Sequence, residues 1–296
     1  MLALLTEAPG SGYPGDYLRA RLQSRRRTLE EIFGPRASAA DGDQGYWEEA
    51  AAQRAWLFRQ MDAGLRAALS PLFVYFELAN MARALRHQAA GQAEEAERLL
   101  RTGMLAPWLR VILAGRVGLS EVLGNLERSP AGRKLSLSGI RERYGEGGLH
   151  RCEELLRGRF LARALSVARQ EDLIFFFRAL VDMRNLLAMA KWLRWGPSSA
   201  PLLVPGGRVP LPASMEKVTE AGLARLVGSW THERLTGDQL RPEHLEPLLR
   251  AHLLNRLTDR RRAGGVAAAC IEYVWRGHAA VRASGLRLHT AGEAAQ

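Results

Sequence analysis

At 296 residues the chain is long for a single hydrophobic core, which predicts two or three subdomains. Its apolar fraction of 47% excludes wholesale disorder, and its net charge of +11 admits nucleic acid, an anionic membrane surface or an acidic protein as partner. The longest run free of Asp, Glu, Lys and Arg is Trp195–Gly207, 13 residues broken by glycine and proline, so no membrane span is expected. Met1–Ala8 is too short and too acidic for a signal peptide, and a soluble or peripheral protein made in the cytoplasm is expected.

Helical periodicity runs from end to end. The first helix, DYLRARLQSRRRTLEE (16–31), has an apolar stripe of Tyr17, Leu18, Leu22 and Leu29. Its cations Arg19, Arg21, Arg25, Arg26 and Arg27 spread around it, at about 100° per residue. They are candidates for an anionic docking surface or for a solvated face, and the aromatic content is too low for a single-strand nucleic-acid platform. The segments YWEEAAAQRAWLFRQMDAGLRAAL, PLFVYFELANMARALRHQAA, QAEEAERLL, LSEVLGNLER and HRCEELLRGRFLARALSVARQ continue the pattern. In EDLIFFFRALVDMRNLLAMAKWLRW (171–195), Leu173, Phe176, Phe177, Leu180, Met183, Leu187 and Ala190 make one apolar face, and Arg178, Asp182 and Arg184 exclude a membrane span. MEKVTEAGLARLVGSW, PEHLEPLLRAHLLNRLTDRRR and VAAACIEYVWRGHAAVRASGL follow. Gly/Pro punctuation falls at 9–15, 34–45, 128–133, 145–148, 196–212 and 263–265, with no alternating strand pattern between. The fold class is all-α.

Two of these helices resemble one another. FVYFELANMARALR (73–86) and RALVDMRNLLAMAK (178–191) align Glu77 with Asp182 and Asn80 with Asn185 at an offset of 105. Downstream, Leu99, Leu100 and Gly103 align with Leu202, Leu203 and Gly206 at an offset of 103. A third copy, at an offset of 98, places Ala280 and Ala283 on the acidic and amide positions and so loses the polar pair. Three helical repeats, 1–118, 119–207 and 208–296, are expected. An acid and an amide three residues apart on an apolar face can point at one partner, and an unpaired polar group there costs about 1–3 kcal/mol. Backbone groups or an arginine on the adjoining helix would satisfy them, so Glu77, Asn80, Asp182 and Asn185 are read as a structural polar lock.

Other chemistry is poorly represented. VPGGRVPLP (204–212) lacks the spacing of a phosphate-binding loop, and Pro205, Gly206 and Gly207 read as a turn. The seven histidines form no metal-binding spacing, and Cys152 and Cys270 read as two ordinary buried thiols. No nucleophile–base signature or paired-carboxylate motif occurs. Neither enzyme activity, cofactor, metal nor small-molecule substrate is expected.

Taken in order, several of these segments make the chain similar to the C subunit of bacterial and archaeal V-type ATPases, subunit d in eukaryotes. They are YLRARLQSRRRTL, the helix carrying Phe177, Asp182, Asn185 and Leu186, the turn at Pro205, Gly206 and Gly207, and the tail with Tyr273, Val281 and Arg282. The tail departs from the family where Gly277, His278 and Ala280 replace acidic residues. The resemblance implies three similar helical subdomains in a pseudo-threefold, funnel-shaped arrangement. It implies a non-catalytic rotor subunit on the cytoplasmic face of the membrane, within a membrane-bound complex. Such a subunit links D- and F-type central-stalk subunits to the proteolipid ring and transmits torque for ATP-coupled proton or sodium transport, in the direction of hydrolysis or of ATP synthesis. No nucleic acid is expected on that reading. The net charge leaves a rival: a basic all-α nucleic-acid-binding or scaffolding protein.

Overall fold

Twelve α-helices run through the described residues, which are 1–33, 42–196 and 201–294 of this computed structural model. They are α1 (Gly15–Phe33), α2 (Gly42–Gln60), α3 (Ala63–Ala89), α4 (Ala93–Arg101), α5 (Pro107–Leu113) and α6 (Leu119–Arg128). Then follow α7 (Pro130–Leu135), α8 (Ile140–Val167), α9 (Glu171–Trp195), α10 (Glu220–Thr231), α11 (Pro242–Ala263) and α12 (Val266–Ala294). No strand occurs among the described residues, and Leu5–Leu105 and Tyr13–Met61 form isolated bridges only. Nor is any described helix long and apolar enough to cross a membrane. Of the punctuation at 34–45 and 196–212, residues 34–41 and 197–200 lie outside the described residues.

Local sequence sets most helix ends. Asp62 caps α3 by accepting the Leu65 N–H at 2.8 Å, and Gln170 caps α9 through the Asp172 N–H at 2.7 Å. Proline opens α5, α7 and α11, where a missing N–H costs nothing. Within α8 the chain kinks at Gly147 and Gly148; the latter has φ 66° and ψ −162°, a conformation open in practice only to glycine.

The long helices come as antiparallel pairs separated by two or three residues. In the first, α2 folds back along α3, with Phe58 against Phe73 (4.9 Å between rings) and the Arg54 guanidinium over Phe76 (5.2 Å). In the second, Phe160 of α8 meets Phe177 of α9 at 5.9 Å. In the third, α11 packs on α12, where Arg250 lies over Trp275 at 5.9 Å. The pairs also pack on one another: α8 on α3, α11 on α9, and α2 on α12. The chain of contacts therefore closes, and helix direction alternates around it.

The second helices of the three pairs meet at an aromatic hub. Tyr75 of α3 lies 6.2 Å from Phe176 of α9, which lies 5.6 Å from Trp275 of α12; His278 of α12 returns to Phe76 of α3 at 5.2 Å. Phe176 and Trp275 are fully buried. Each such ring contributes about 1.5–3 kcal/mol by leaving water, and edge-to-face contact adds about 0.5–1.5 kcal/mol per pair.

Polar bonds fix the register between pairs. Arg86 grips Glu153 with two bonds of 2.6 Å between α3 and α8. Arg260 Nε donates to Asp172 Oδ1 at 2.7 Å between α11 and α9, and Tyr273 donates to Gln53 at 2.8 Å between α12 and α2. The most demanding group is Glu272 of α12, which is 0% exposed. Its Oε1 accepts from Arg26 of α1 at 2.7 Å and Arg276 at 2.6 Å, and Arg261 approaches Oε2 at 3.9 Å. That single carboxylate is the counter-charge these three guanidinium groups share.

Replacing it, Glu272→Gln, should therefore strip the counter-charge from three arginines. Removing one partner of a buried pair costs about 3–5 kcal/mol. Side-chain exposures of 20%, 15% and 23% for Arg26, Arg261 and Arg276 place the expected loss at the low end of that range. Urea unfolding followed by circular dichroism measures it. Burial raises the Cys152 thiol to about 11 and the Cys270 thiol further. Near neutral pH the folded chain should leave both unalkylated by iodoacetamide, and denaturant should expose two reactive thiols, counted by mass spectrometry.

Candidate functional site

Asp182 and Asn185 sit on the face of α9 that meets the following loop, 0% and 1% exposed. Neither reaches an arginine on a neighbouring helix. The Asn185 amide closes a two-way bond with Val204, its Nδ2 donating to the Val204 carbonyl at 2.8 Å and its Oδ1 accepting the Val204 N–H at 2.9 Å. Asp182 Oδ1 accepts the N–H groups of Arg208 at 2.8 Å and Val209 at 2.9 Å. Burial raises the Asp182 pKa, while the Val209 and Arg208 N–H groups and the Trp230 side chain oppose that shift. Folding thus works against the ionised carboxylate: its contribution is fullest below the ordinary carboxylate range and declines as pH rises through the folded value.

The turn at Pro205, Gly206 and Gly207 is shaped to fit this carboxylate. Gly206 has φ 100°, a left-handed conformation. A Cβ on Gly207 would lie 2.0 Å from Asp182 Oδ1, so the loop can approach only as glycine.

On α3, Glu77 is 1% exposed and Asn80 is half-buried. Asn80 Nδ2 donates to Glu77 Oε2 at 3.1 Å, and the charge of Arg54, on α2, acts on the Glu77 carboxylate. A Cβ on Gly103 would lie 2.6 Å from Glu77 Oε2. The acid-against-glycine contact thus recurs, and the spatial counterpart of Gly103 is Gly207 rather than Gly206. The surroundings differ: Leu99 and Leu100 belong to α4, whereas Leu202 and Leu203 lie in a non-helical segment. Pro201, Pro205, Pro210 and Pro212 explain the difference, because proline removes helix hydrogen bonds and excludes helical geometry before it. On α12, Ala280 is half-buried and Ala283 exposed, and the buried acid of that helix is Glu272.

The arginines of α1 largely serve the chain itself. Arg19 donates to the Gly264 carbonyl at 3.0 Å, Arg21 to Gln60 at 2.9 Å, Arg25 to Gln53 at 2.9 Å and Arg26 to Glu272 at 2.7 Å. Arg25 also lies 4.2 Å over Trp56. Arg27 is exposed.

A second set of cations gathers around Tyr75 and His278. Arg250 Nη1 donates to His278 Nε2 at 3.0 Å, Arg282 lies 5.3 Å over Trp47, and Trp47 lies 5.6 Å from the His278 ring. Burial and the charges of Arg250, Arg282 and Arg54 push the His278 pKa well down, so its imidazole is neutral and accepts that bond. The charges of Arg250, Arg157, Arg282 and Arg184 act on Tyr75, whose hydroxyl burial keeps protonated. Burial and neighbouring cations likewise lower the pKa of Arg184 and Arg282. These arginines come from α2, α8, α9, α11 and α12. Their one sequence signal is a cation inside an apolar stripe, as with Arg184, three residues from both Val181 and Leu187.

No group of histidine, cysteine, aspartate and glutamate side chains among the described residues is arranged to hold a metal ion. No family model matches the chain, and no curated protein matches it.

The clamp between α9 and its loop yields a graded expectation. Asp182→Ala orphans the buried Val209 N–H and should cost about 1–3 kcal/mol of unfolding free energy. Asp182→Asn, which retains Oδ1 as acceptor, should cost less. Gly207→Ala should destabilise more than Gly103→Ala, because Asp182 is pinned by N–H donors while Glu77 can swing aside. Thermal melting of the four variants gives the order.

Proposed function

We propose that the chain is a non-catalytic rotor coupling subunit of a V-type ATPase or ATP synthase, joining the central stalk to the membrane proteolipid ring. The observation that carries this reading is the succession of helix pairs around one aromatic hub: α8 packs on α9 and α11 on α12, while α2 meets α3 through Phe58–Phe73 and Arg54–Phe76. On this reading the pairs are the cores of three similar subdomains, related by pseudo-threefold symmetry and flaring into a funnel. The acid-against-glycine contacts at Glu77–Gly103 and Asp182–Gly207 support the relation between the first two. A turning adaptor must resist twisting, and polar bonds at every pair-to-pair contact supply directional stiffness that apolar packing lacks. The sequence resemblance supports the partners: D- and F-type stalk subunits at one end and the ring at the other, on the cytoplasmic face. The proteolipid ring or acidic lipid headgroups would meet a basic surface.

The rival, a basic nucleic-acid-binding or scaffolding protein, rests on the charge of +11. Four of the five arginines on α1 bind within the chain, which removes them from the pool that would meet phosphates.

Affinity capture of the tagged chain from its own membranes should recover stalk and ring subunits. Submicromolar binding to RNA or DNA with a steep salt slope, and no stalk subunit in the capture, would sink the rotor reading. In the assembled complex, Asp182→Ala should lower ions moved per ATP hydrolysed without changing nucleotide binding, measured as transport and hydrolysis in the same vesicles.

A further inference from the structure

We infer that the cation cluster around Tyr75 and His278 is the seat for a partner helix whose tip presents carboxylates. The inference rests on the rotor reading and identifies the chemistry by which the stalk is held.

The cluster lies toward one end of the molecule. The second helices α3, α9 and α12 run toward that end and the first helices α2, α8 and α11 start from it, as the antiparallel pairing requires. Arg157 on α8, Lys191 on α9 and Arg282 on α12 are exposed there, and Arg184 and Arg250 stand half-buried behind them. A Cβ on Gly158 of α8 would lie 4.0 Å from Arg184 Nη2, which brings Arg157 and Arg184 together across the α8–α9 contact.

Carboxylates in the vicinity are already engaged. Glu246 is bonded to Arg250, Glu154 to Arg151 at 2.8 Å, and Glu153 to Arg86 at 2.6 Å with Arg157 at 3.4 Å. Glu77 acts on Arg54 and faces Gly103. The Glu246 carboxylate also acts on Arg282 and Lys191, and the buried Nε of Arg184 has no hydrogen-bond partner among the described residues. Gathering like charges beside buried rings raises their free energy, and an acidic group entering from solvent would lower it.

A helix tip fits better than a flat acidic surface, because Arg157, Arg184, Arg250 and Arg282 come from four different helices and all act on Tyr75. The same end offers apolar contact: Leu193 and Trp195, in the last turn of α9, are 39% and 62% exposed. Exposed aromatic and aliphatic side chains beside a basic centre match an amphipathic helix with an acidic end.

The test uses the full chain and purified central-stalk subunits of the same complex, with affinity followed by calorimetry. Arg157→Glu combined with Arg282→Glu should weaken binding at least about tenfold and flatten its salt dependence, since rim charges govern steering and register. Arg27→Glu, an exposed cation on α1, should leave binding unchanged. Arg157 bonds Glu153 and Arg282 covers Trp47, so the melting of each double variant is compared with the parent's, and Arg157→Gln with Arg282→Gln gives the binding comparison without charge reversal. Stalk binding by the parent that persists undiminished in the double variants overturns the inference and leaves the rotor reading standing. A parent chain that fails to bind the stalk at all overturns both. Binding to single-stranded RNA or to phosphatidylserine vesicles that is tighter than to the stalk and lost in the same variants also overturns it.

Discussion

Three long helices, α3, α9 and α12, carry more apolar surface than one partner can cover, and everything else follows from how that surface is buried. α9 and α12 are covered on one side by the helix preceding each and α3 by Phe58 and Arg54 of α2, and all three on another side by the first helix of a neighbouring pair. Their remaining surface meets at Tyr75, Phe176 and Trp275. No pair is complete alone, so the chain of contacts closes. Closure makes the assembly stiff in a way that a row of helices is not, because displacement of one pair strains two contacts.

Apolar packing by itself leaves helices free to slide, and the buried polar groups remove that freedom. Arg86–Glu153, Arg260–Asp172 and Tyr273–Gln53 each bind at one register only. Asp182 and Asn185 do the same for a loop that has no helical hydrogen bonds of its own, supplying acceptors and donors to Val204, Arg208 and Val209. The cost of leaving such groups unmet is what confines the loop to one path.

Arginine does several different jobs here, and net charge conceals the division. Guanidinium groups on α1 bond to amides, a carbonyl and a carboxylate and stack on Trp56. Others, such as Arg250 and Arg282, lie over aromatic rings beside His278 with too few carboxylates to match them. The planar, weakly hydrated guanidinium tolerates both settings better than an ammonium would, which suits a chain with only Lys134, Lys191 and Lys217 as lysines.

Sequence alone determined the all-α class, the positions of the long helices and the need of Asp182 and Asn185 for partners, because helical period and an acid in an apolar stripe are local signals. It also marked Gly147–Gly148 as a break and Gly207 as part of a turn, since glycine's conformational freedom is a property of the residue itself. Tertiary structure decided which partners are used: backbone N–H groups of a proline-rich loop for Asp182, with Gly207 and not Gly206 facing the carboxylate. It likewise decided that Glu272 is the buried acid of α12, that α1 spends most of its arginines internally, and that cations from separate helices gather at His278. Those outcomes depend on distances between segments far apart in the chain, and a side chain's charge or polarity carries no record of what lies opposite it once the helices have packed.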